Sequence, residues 1–239
     1  TEVIIDEIQS YEDNPSELIF DDFEDMIFRG HPLGRNILGR PELLRRFRTS
    51  DALDFTRRLY QPSNMVFFVQ GKVDFRKLVD MLEKWMADIP AGEVKGVRTP
   101  PPLYVPEYLV IPKDTHQAHV MIGSRGYNAY DDKRTALYLL NNILGGPGMN
   151  SRLNVSLRER RGLVYTVESN LTSYTDTGAF CIYFGTDPED VDTCLKLTYK
   201  ELKRMRDVKM TSSQLMAAKK QLIGQIGVAS DNNENNAMG

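Results

Sequence analysis

A run of prolines near the middle of the chain constrains its fold more than any other feature. Residues 100–102 are all proline. Each fixes φ and removes a backbone donor, so the run adopts an extended conformation and no helix can pass through it. The composition also shifts toward proline around this point. We therefore expect residues 93–106 to be a linker between a first domain that ends at residue 92 and a second that covers residues 107–239.

The apolar periodicity on either side of the linker predicts an α+β protein. Predicted strands come in consecutive pairs that alternate with pairs of helices, which favours sandwiches with antiparallel or mixed sheets. A strand, a glycine, an aspartate and a helix also follow one another twice, which is consistent with two related domains. The predicted helices cover residues 1–13, 15–28, 41–47, 51–60, 74–87, 131–144, 151–161, 188–207 and 212–230, and the predicted strands cover 64–70, 107–112, 117–124, 163–172 and 177–185.

Composition excludes several classes of function. The net charge is -3, with 30 basic and 33 acidic residues, so there is no excess of positive charge to indicate binding to nucleic acid or to an anionic membrane. Cys181 and Cys194 lack metal-ligand spacing and are expected to be buried free thiols. No apolar run is long enough to span a bilayer, so a cytoplasmic location is the expectation. Thr1 opens directly into a helical pattern, which suggests a piece of a longer protein.

One acidic residue falls on the apolar side of the first predicted helix. At 100° per residue the apolar stripe contains Val3, Ile4, Ile8 and Tyr11, and Glu7 lies between its members. A buried carboxylate needs a cation, a metal or hydrogen-bond donors. Either a zinc ion or a structural arginine would satisfy the Glu7 carboxylate, and the helix pattern alone does not distinguish between them.

A second candidate site lies where the helix ending near Gly162 turns into a strand. Arg158 offers a fixed positive charge with a fork of donors, and the Tyr165 phenol could donate to a carbonyl oxygen as it becomes an oxyanion. The ordinary alternative is a solvated helix end followed by a core strand, in which Leu163, Tyr165 and Val167 alternate onto one buried face.

The histidines and the glycine-rich segment do not predict a metal or phosphate site. His116 and His119 are three residues apart at the start of the strand predicted near residues 117–124, so they are expected to face opposite sides of the sheet and cannot easily share a metal. The glycine-rich residues 145–148 lack a phosphate-loop sequence and are interpreted as a turn between helices. His31 lies in a loop rich in glycine and proline and is expected to hold that loop. No nucleophile elbow is present.

Three segments in this order resemble a known family of peptidases. They are Val-Ile-Ile-Asp-Glu-Ile at 3–8, His-Pro-Leu-Gly-Arg-Asn-Ile-Leu-Gly at 31–39 and Leu-Arg-Glu-Arg-Arg-Gly-Leu-Val-Tyr at 157–165. Together with the proline linker, they make the chain similar to the family of insulin-degrading enzyme, pitrilysin and mitochondrial processing peptidase. The resemblance is greatest to the small bacterial processing-peptidase-like members and covers essentially the whole chain.

The resemblance implies a zinc metalloendopeptidase. In this family two histidines of an inverted H-x-x-E-H motif and a distal glutamate bind zinc, and the motif glutamate is the general base. The distal ligand corresponds to Glu7, and an arginine and a tyrosine seven residues apart, which orient substrate and stabilise the oxyanion, correspond to Arg158 and Tyr165. The implied fold is two related α/β sandwich domains, both truncated here, with largely antiparallel sheets and helices packed on one face.

The resemblance also implies partners. Two half-molecules of this family enclose a chamber, peptides or unfolded proteins bind as an added strand on a sheet edge, and the arginine and tyrosine serve the zinc site of the opposite half. A chain that carries Glu7 together with Arg158 and Tyr165 is thus expected to work as a homodimer or with a related subunit.

The sequence departs from the family in one respect. It contains no H-x-x-E-H, which is expected upstream of Thr1, so we expect this piece to be inactive by itself and to retain no zinc. Two alternatives remain open: a non-catalytic partner or core subunit with the same fold, and a module that binds peptides at a sheet edge without cutting them.

Overall fold

A computed structural model describes residues 1–89, 92, 94, 96 and 98–231. The end of the chain beyond residue 231, and parts of the predicted linker, lie outside the described residues. Helices α1 to α8 and strands β1 to β3 are, in chain order, α1 (Glu2–Glu12), α2 (Pro15–Ile27), α3 (Pro41–Leu44), α4 (Thr49–Leu59), α5 (Phe75–Met86), β1 (Ala118–Gly126), α6 (Arg134–Gly145), β2 (Val164–Ser173), β3 (Gly178–Thr186), α7 (Val191–Asp207) and α8 (Ser212–Ser230).

The chain forms two compact units. One contains residues 1–40 and 100–224, and the other contains the described residues within the ranges 41–99 and 225–239. One crossing between the units, at residues 99 and 100, falls inside the predicted linker. The division into domains at residues 92 and 107 remains a prediction.

The first unit contains an antiparallel sheet with the strand order β1-β3-β2. In the centre of the sheet Phe184 of β3 lies opposite Val120 of β1 on one side and Val167 of β2 on the other. These strands lie within one or two residues of the positions predicted at 117–124, 163–172 and 177–185, and the α+β class is confirmed.

The main core lies on one face of this sheet. Ile182 and Phe184 point to that face and meet Leu144 of α6, Cys194 of α7 and Leu157 of the segment between α6 and β2. These side chains are almost completely buried. Burial of each large apolar side chain contributes about 1.5–3 kcal/mol relative to exposure, so this cluster holds α6 and α7 on the sheet.

Helix α2 covers the opposite face. The ring of Phe20 lies 5.2 Å from that of Tyr183, and Gly123 leaves the room that Phe23 occupies, since a Cβ there would come within 2.4 Å of its ring. At the C-terminal end of α2, Arg125 Nε donates to the Ile27 carbonyl at 2.6 Å. The expectation that helices pack on one face is therefore wrong for this sheet.

Two predicted strands are not strands in the structure. A short 3₁₀ turn at Pro62–Asn64 precedes residues 65–70, which have no sheet partner among the described residues, and residues 107–112 have none either. Both segments expose apolar side chains, and Val66 is 94 % exposed. The β-propensity of these residues is expressed only where another strand supplies a ladder, which explains why a local pattern predicted them wrongly.

The cysteines and the histidines all lie in the first unit. Cys181 and Cys194 are free and buried, as expected, and burial raises the pKa of the Cys181 thiol to about 11. His31 holds its loop, as its Nδ1 accepts from the Leu33 N–H at 3.2 Å. His119 lies in β1 and stacks on Tyr183. His116 precedes β1, so the prediction that both histidines lie on a strand is wrong for His116. No helix in the described ranges is both long and apolar enough to cross a membrane.

Candidate functional site

Arg158 lies in a π-helical segment, Asn154–Glu159, that follows α6. The wider turn is seen in the bond from the Arg160 N–H to the Val155 carbonyl, 3.2 Å long. Leu157 points into the core while Arg158 is exposed beside it. Isolated π-helical turns occur often at functional sites, because they rotate side chains away from the positions of a regular helix.

A glycine turn links this segment directly to β2. Gly162 has φ +63°, in the left-handed region that other residues enter only at a cost. Its N–H donates to the Arg158 carbonyl at 2.8 Å, and the Leu163 N–H donates to the Leu157 carbonyl at 3.0 Å. The backbone of Arg158 is thus fixed by the same turn that starts the strand, and the predicted helix end at Gly162 is confirmed.

Tyr165 lies at a β-bulge near the start of β2. Val164 is paired with Thr186 and Thr166 with Gly185, so Tyr165 is the additional residue between two successive pairs. Val164 is buried in the core, whereas Tyr165 is 55 % exposed. The alternation that placed Tyr165 on the core face is therefore wrong. A bulge shifts the register by one residue and redirects the side chain outward.

Among the described residues, the exposed phenol has one polar partner. The Tyr165 hydroxyl donates to Oδ1 of Asp187, which directly follows β3, over 2.9 Å. This hydrogen bond, and the charge of the carboxylate, raise the pKa of Tyr165 above its usual value. At neutral pH the phenol is accordingly a protonated donor, which is the form that oxyanion stabilisation needs.

A cavity of about 400 Å³ opens beside Arg158. Its walls are the glycine-rich turn after α6, the middle of β2 and the side chains of Asn141 and Asn154. Gly145 lets the turn approach β2, since a Cβ there would come within 2.7 Å of the Ser169 nitrogen. The interpretation of residues 145–148 as a turn between helices is confirmed. Tyr165 is not among the described residues that line this cavity.

Glu7 is exposed on α1. The buried residues of that helix are Ile5 and Ile8, while Val3 is largely exposed. The expected apolar stripe with Glu7 in it is wrong, because the contacts of α1 select a neighbouring face of the helix. In the part of the chain that the structure describes, no three His, Cys, Asp or Glu side chains form a group able to hold a metal. An exposed carboxylate fits the role of one zinc ligand but cannot retain the ion alone.

Asp187 is the site residue that the sequence did not reveal. An aspartate between a strand and a Pro-Glu-Asp sequence is typical of an N-cap, and this is how a local pattern would interpret it. Its contact with Tyr165 depends on pairing between β2 and β3, which no local signal contains.

Comparison with known proteins identifies the family. The family model described as "Peptidase M16 inactive domain" matches residues 46–222, about three-quarters of the chain. The chain belongs to this M16 family. The resemblance to insulin-degrading enzyme and the processing peptidases is thereby confirmed.

Curated bacterial relatives of this M16 chain are named zinc proteases. The Bacillus subtilis protein named uncharacterized zinc protease YmxG is 32 % identical over 225 residues, which are 94 % of this chain and 54 % of that protein. An uncharacterized zinc protease of Streptomyces coelicolor is 33 % identical over 230 residues, covering 92 % of this chain and 50 % of its own. The chain thus spans about half the length of these relatives.

Solved structures share the fold. A peptidase M16 inactive domain from Pseudomonas fluorescens has a TM-score of 0.89 at 24 % identity and covers 100 % of this chain and 58 % of its own. A chain of complex III from Candida albicans has a TM-score of 0.77 at 18 % identity, covering 98 % of this chain and 57 % of its own. At these identities the likeness establishes the architecture alone.

Proposed function

We propose that the full-length protein is a zinc-dependent endopeptidase that cleaves peptides or unfolded polypeptides in a chamber between two half-molecules. The observation that best supports this proposal is that the phenol of Tyr165 is exposed to solvent. A bulge exposes its phenol close in sequence to the turn that fixes Arg158, although the local pattern favours a buried strand residue. The names of the curated relatives support the zinc-peptidase class.

In this proposal the two side chains contact the substrate. Arg158 is exposed beside a polar cavity, where its fork of donors can bind backbone carbonyls or a carboxylate of an extended peptide. The Tyr165 phenol donates to the scissile carbonyl oxygen as negative charge develops there. Because both residues act on the site of the opposite half-molecule, the active form is a homodimer or a pair with a related subunit.

Glu7 supplies one carboxylate ligand to zinc, and two histidines from outside these 239 residues complete the site. Zinc supplies Lewis-acid polarisation of the scissile carbonyl and activation of water when it is bound. Glu7 is exposed, so it needs no rearrangement of the core of this unit to take up the role.

The test uses the full-length protein, a fluorogenic peptide and a measurement of bound zinc. Tyr165→Phe is expected to lower kcat by a factor on the order of 10² with intact zinc content, as for loss of one oxyanion donor. Glu7→Gln is expected to abolish both zinc and activity. Tyr130→Phe and Glu2→Gln are matched controls, since both residues are exposed and neither belongs to the proposed site.

Unchanged zinc in Glu7→Gln would refute the ligand role, and full activity in Tyr165→Phe would refute the oxyanion role. The piece comprising residues 1–239 is expected to show no zinc-dependent cleavage, and measurable cleavage would contradict its proposed dependence on upstream residues. A cytoplasmic location also stays a prediction, which cell fractionation would test.

The second candidate is a non-catalytic partner or core subunit. It is favoured by one finding, namely that the matching family model is described as an inactive domain. This candidate would be supported over the endopeptidase if the full-length protein lacks an H-x-x-E-H motif and binds an unfolded peptide or a related subunit but no zinc. A peptide-binding module that uses a sheet edge would bind the peptide without such a subunit.

A further inference from the structure

Two aspartates in equivalent sequence positions behave differently. Asp74 and Asp187 each follow an apolar segment and a glycine and each precede a helical segment. Asp74 caps α5 in the usual way, as its Oδ1 accepts from the N–H groups of Arg76 and Lys77 at 3.1 and 3.3 Å. Asp187 stands at the N-cap of the 3₁₀ turn Pro188–Asp190, yet its side chain makes no capping bond. Its carboxylate accepts a hydrogen bond from the Tyr165 hydroxyl instead.

The backbone around this pair is firmly held. The hydroxyl of Thr186, a completely buried side chain, donates to the Leu163 carbonyl at 2.5 Å and ties the end of β3 to the start of β2. Val164 is paired with Thr186 in the sheet. Tyr165 and Asp187 each adjoin this fixed pair. Tyr165 is 55 % exposed, and the bond to Asp187 holds its hydroxyl in place.

We propose that Asp187 is a positioning residue that holds the Tyr165 hydroxyl at rest and competes with the substrate oxygen for it. This inference rests on the proposed function of Tyr165. A phenol has one O–H, so it cannot donate to Asp187 and to a substrate at the same time. A carboxylate is a stronger acceptor than a neutral peptide carbonyl, so the hydroxyl leaves Asp187 only when the substrate oxygen gains charge. Asp187 therefore orients the Tyr165 hydroxyl, but it also lowers kcat because it competes for that hydroxyl.

The experiment compares Asp187→Asn with wild-type full-length protein loaded with zinc, using a fluorogenic peptide. Asparagine keeps the size and the N-cap preference of aspartate but offers a neutral, weaker acceptor. We expect kcat to rise roughly twofold to tenfold, the range that one hydrogen bond spans, while KM stays unchanged because the exchange occurs as charge develops. In a Tyr165→Phe background the same substitution is expected to have no effect on kcat.

A spectroscopic measurement tests the contact without reference to activity. The ultraviolet titration of Tyr165, obtained as the difference between each protein and its Tyr165→Phe counterpart, is expected to show a lower phenol pKa in Asp187→Asn, since the carboxylate raises that pKa. Glu189→Gln is the matched control, because it removes an exposed carboxylate from the same turn. It is expected to leave kcat and the bond between Tyr165 and Asp187 intact.

The outcomes separate the inference from the proposed function. If Tyr165→Phe is impaired while Asp187→Asn has unchanged or reduced kcat, competition by Asp187 is wrong and the role of Tyr165 stands. If Tyr165→Phe is fully active, the role of Tyr165 fails, and with it the competition. An unaltered Tyr165 titration in Asp187→Asn would overturn the contact itself.

Discussion

At the residue scale, the backbone of the candidate site depends on Gly162. Its φ of +63° costs a residue with a Cβ about 1–2 kcal/mol, although no atom lies within 4 Å of a Cβ built there. We expect Gly162→Ala to lower the free energy of unfolding by about 1 kcal/mol through backbone strain alone, measured by urea denaturation.

Gly224 provides the matched control for this substitution. It also has open space around its Cβ position, but it lies inside α8 with ordinary helical geometry. Gly224→Ala is expected to raise the free energy of unfolding by about 0.5–1 kcal/mol, since alanine is the better helix former. Equal effects of the two substitutions would contradict the strain assigned to Gly162.

At the element scale, the segment 66–69 is a highly exposed apolar run of the second unit. Val66, Phe67, Phe68 and Val69 are each about half or more exposed, and they form no ladder in the described part of the chain. An exposed apolar segment of high β-propensity pairs readily with another chain. We expect the 239-residue chain to self-associate, as measured by light scattering, and Val66→Lys with Phe68→Lys to suppress this association.

Ile37→Lys serves as the control for that prediction, because Ile37 is 93 % exposed but lies in a loop outside any strand-like run. It is expected to leave the scattering unchanged. An equal decrease with Ile37→Lys would show that general surface charge, and not the segment, governs association.

At the scale of the whole molecule, Tyr165 is proposed to act on the zinc site of a partner subunit and not on that of its own chain. In the full-length protein, Glu7→Gln is expected to form inactive homodimers, and Tyr165→Phe is expected to form homodimers with kcat lower by a factor on the order of 10². If the two act in trans, a mixed dimer has one complete site, formed by Glu7 of one subunit and Tyr165 of the other. Random exchange then restores about a quarter of wild-type activity, because about half of the dimers are mixed and each has one working site of two.

This complementation is measured by denaturing, mixing and refolding the two variants with zinc and assaying the peptide. Mixing two portions of the same variant controls for refolding. No recovery in the mixture, although refolded wild-type protein is active, would place Glu7 and Tyr165 in one site of one chain and contradict the partner arrangement.

Much of the architecture followed from local patterns. The three strands of the first unit, the long helices α7 and α8 and the turn at Gly162 lie close to their predicted positions, because alternation, helical periodicity and glycine are local signals. The segments 64–70 and 107–112 carried the same kind of signal and are not strands. Their state depends on whether a partner strand is present, which a local pattern does not contain.

The candidate site divides in the same way. The sequence determined which groups exist for chemistry: the guanidinium of Arg158, the phenol of Tyr165 and the carboxylate of Glu7, at spacings that matched a family. Tertiary structure decided what they face. The register between β2 and β3 forms the bulge that exposes Tyr165 and brings Asp187 to it, and the packing of α1 leaves Glu7 in solvent. The exposure of Glu7 and Tyr165, and the hydrogen bond between Tyr165 and Asp187, depend on contacts between segments distant in sequence, so they are determined only in the folded chain.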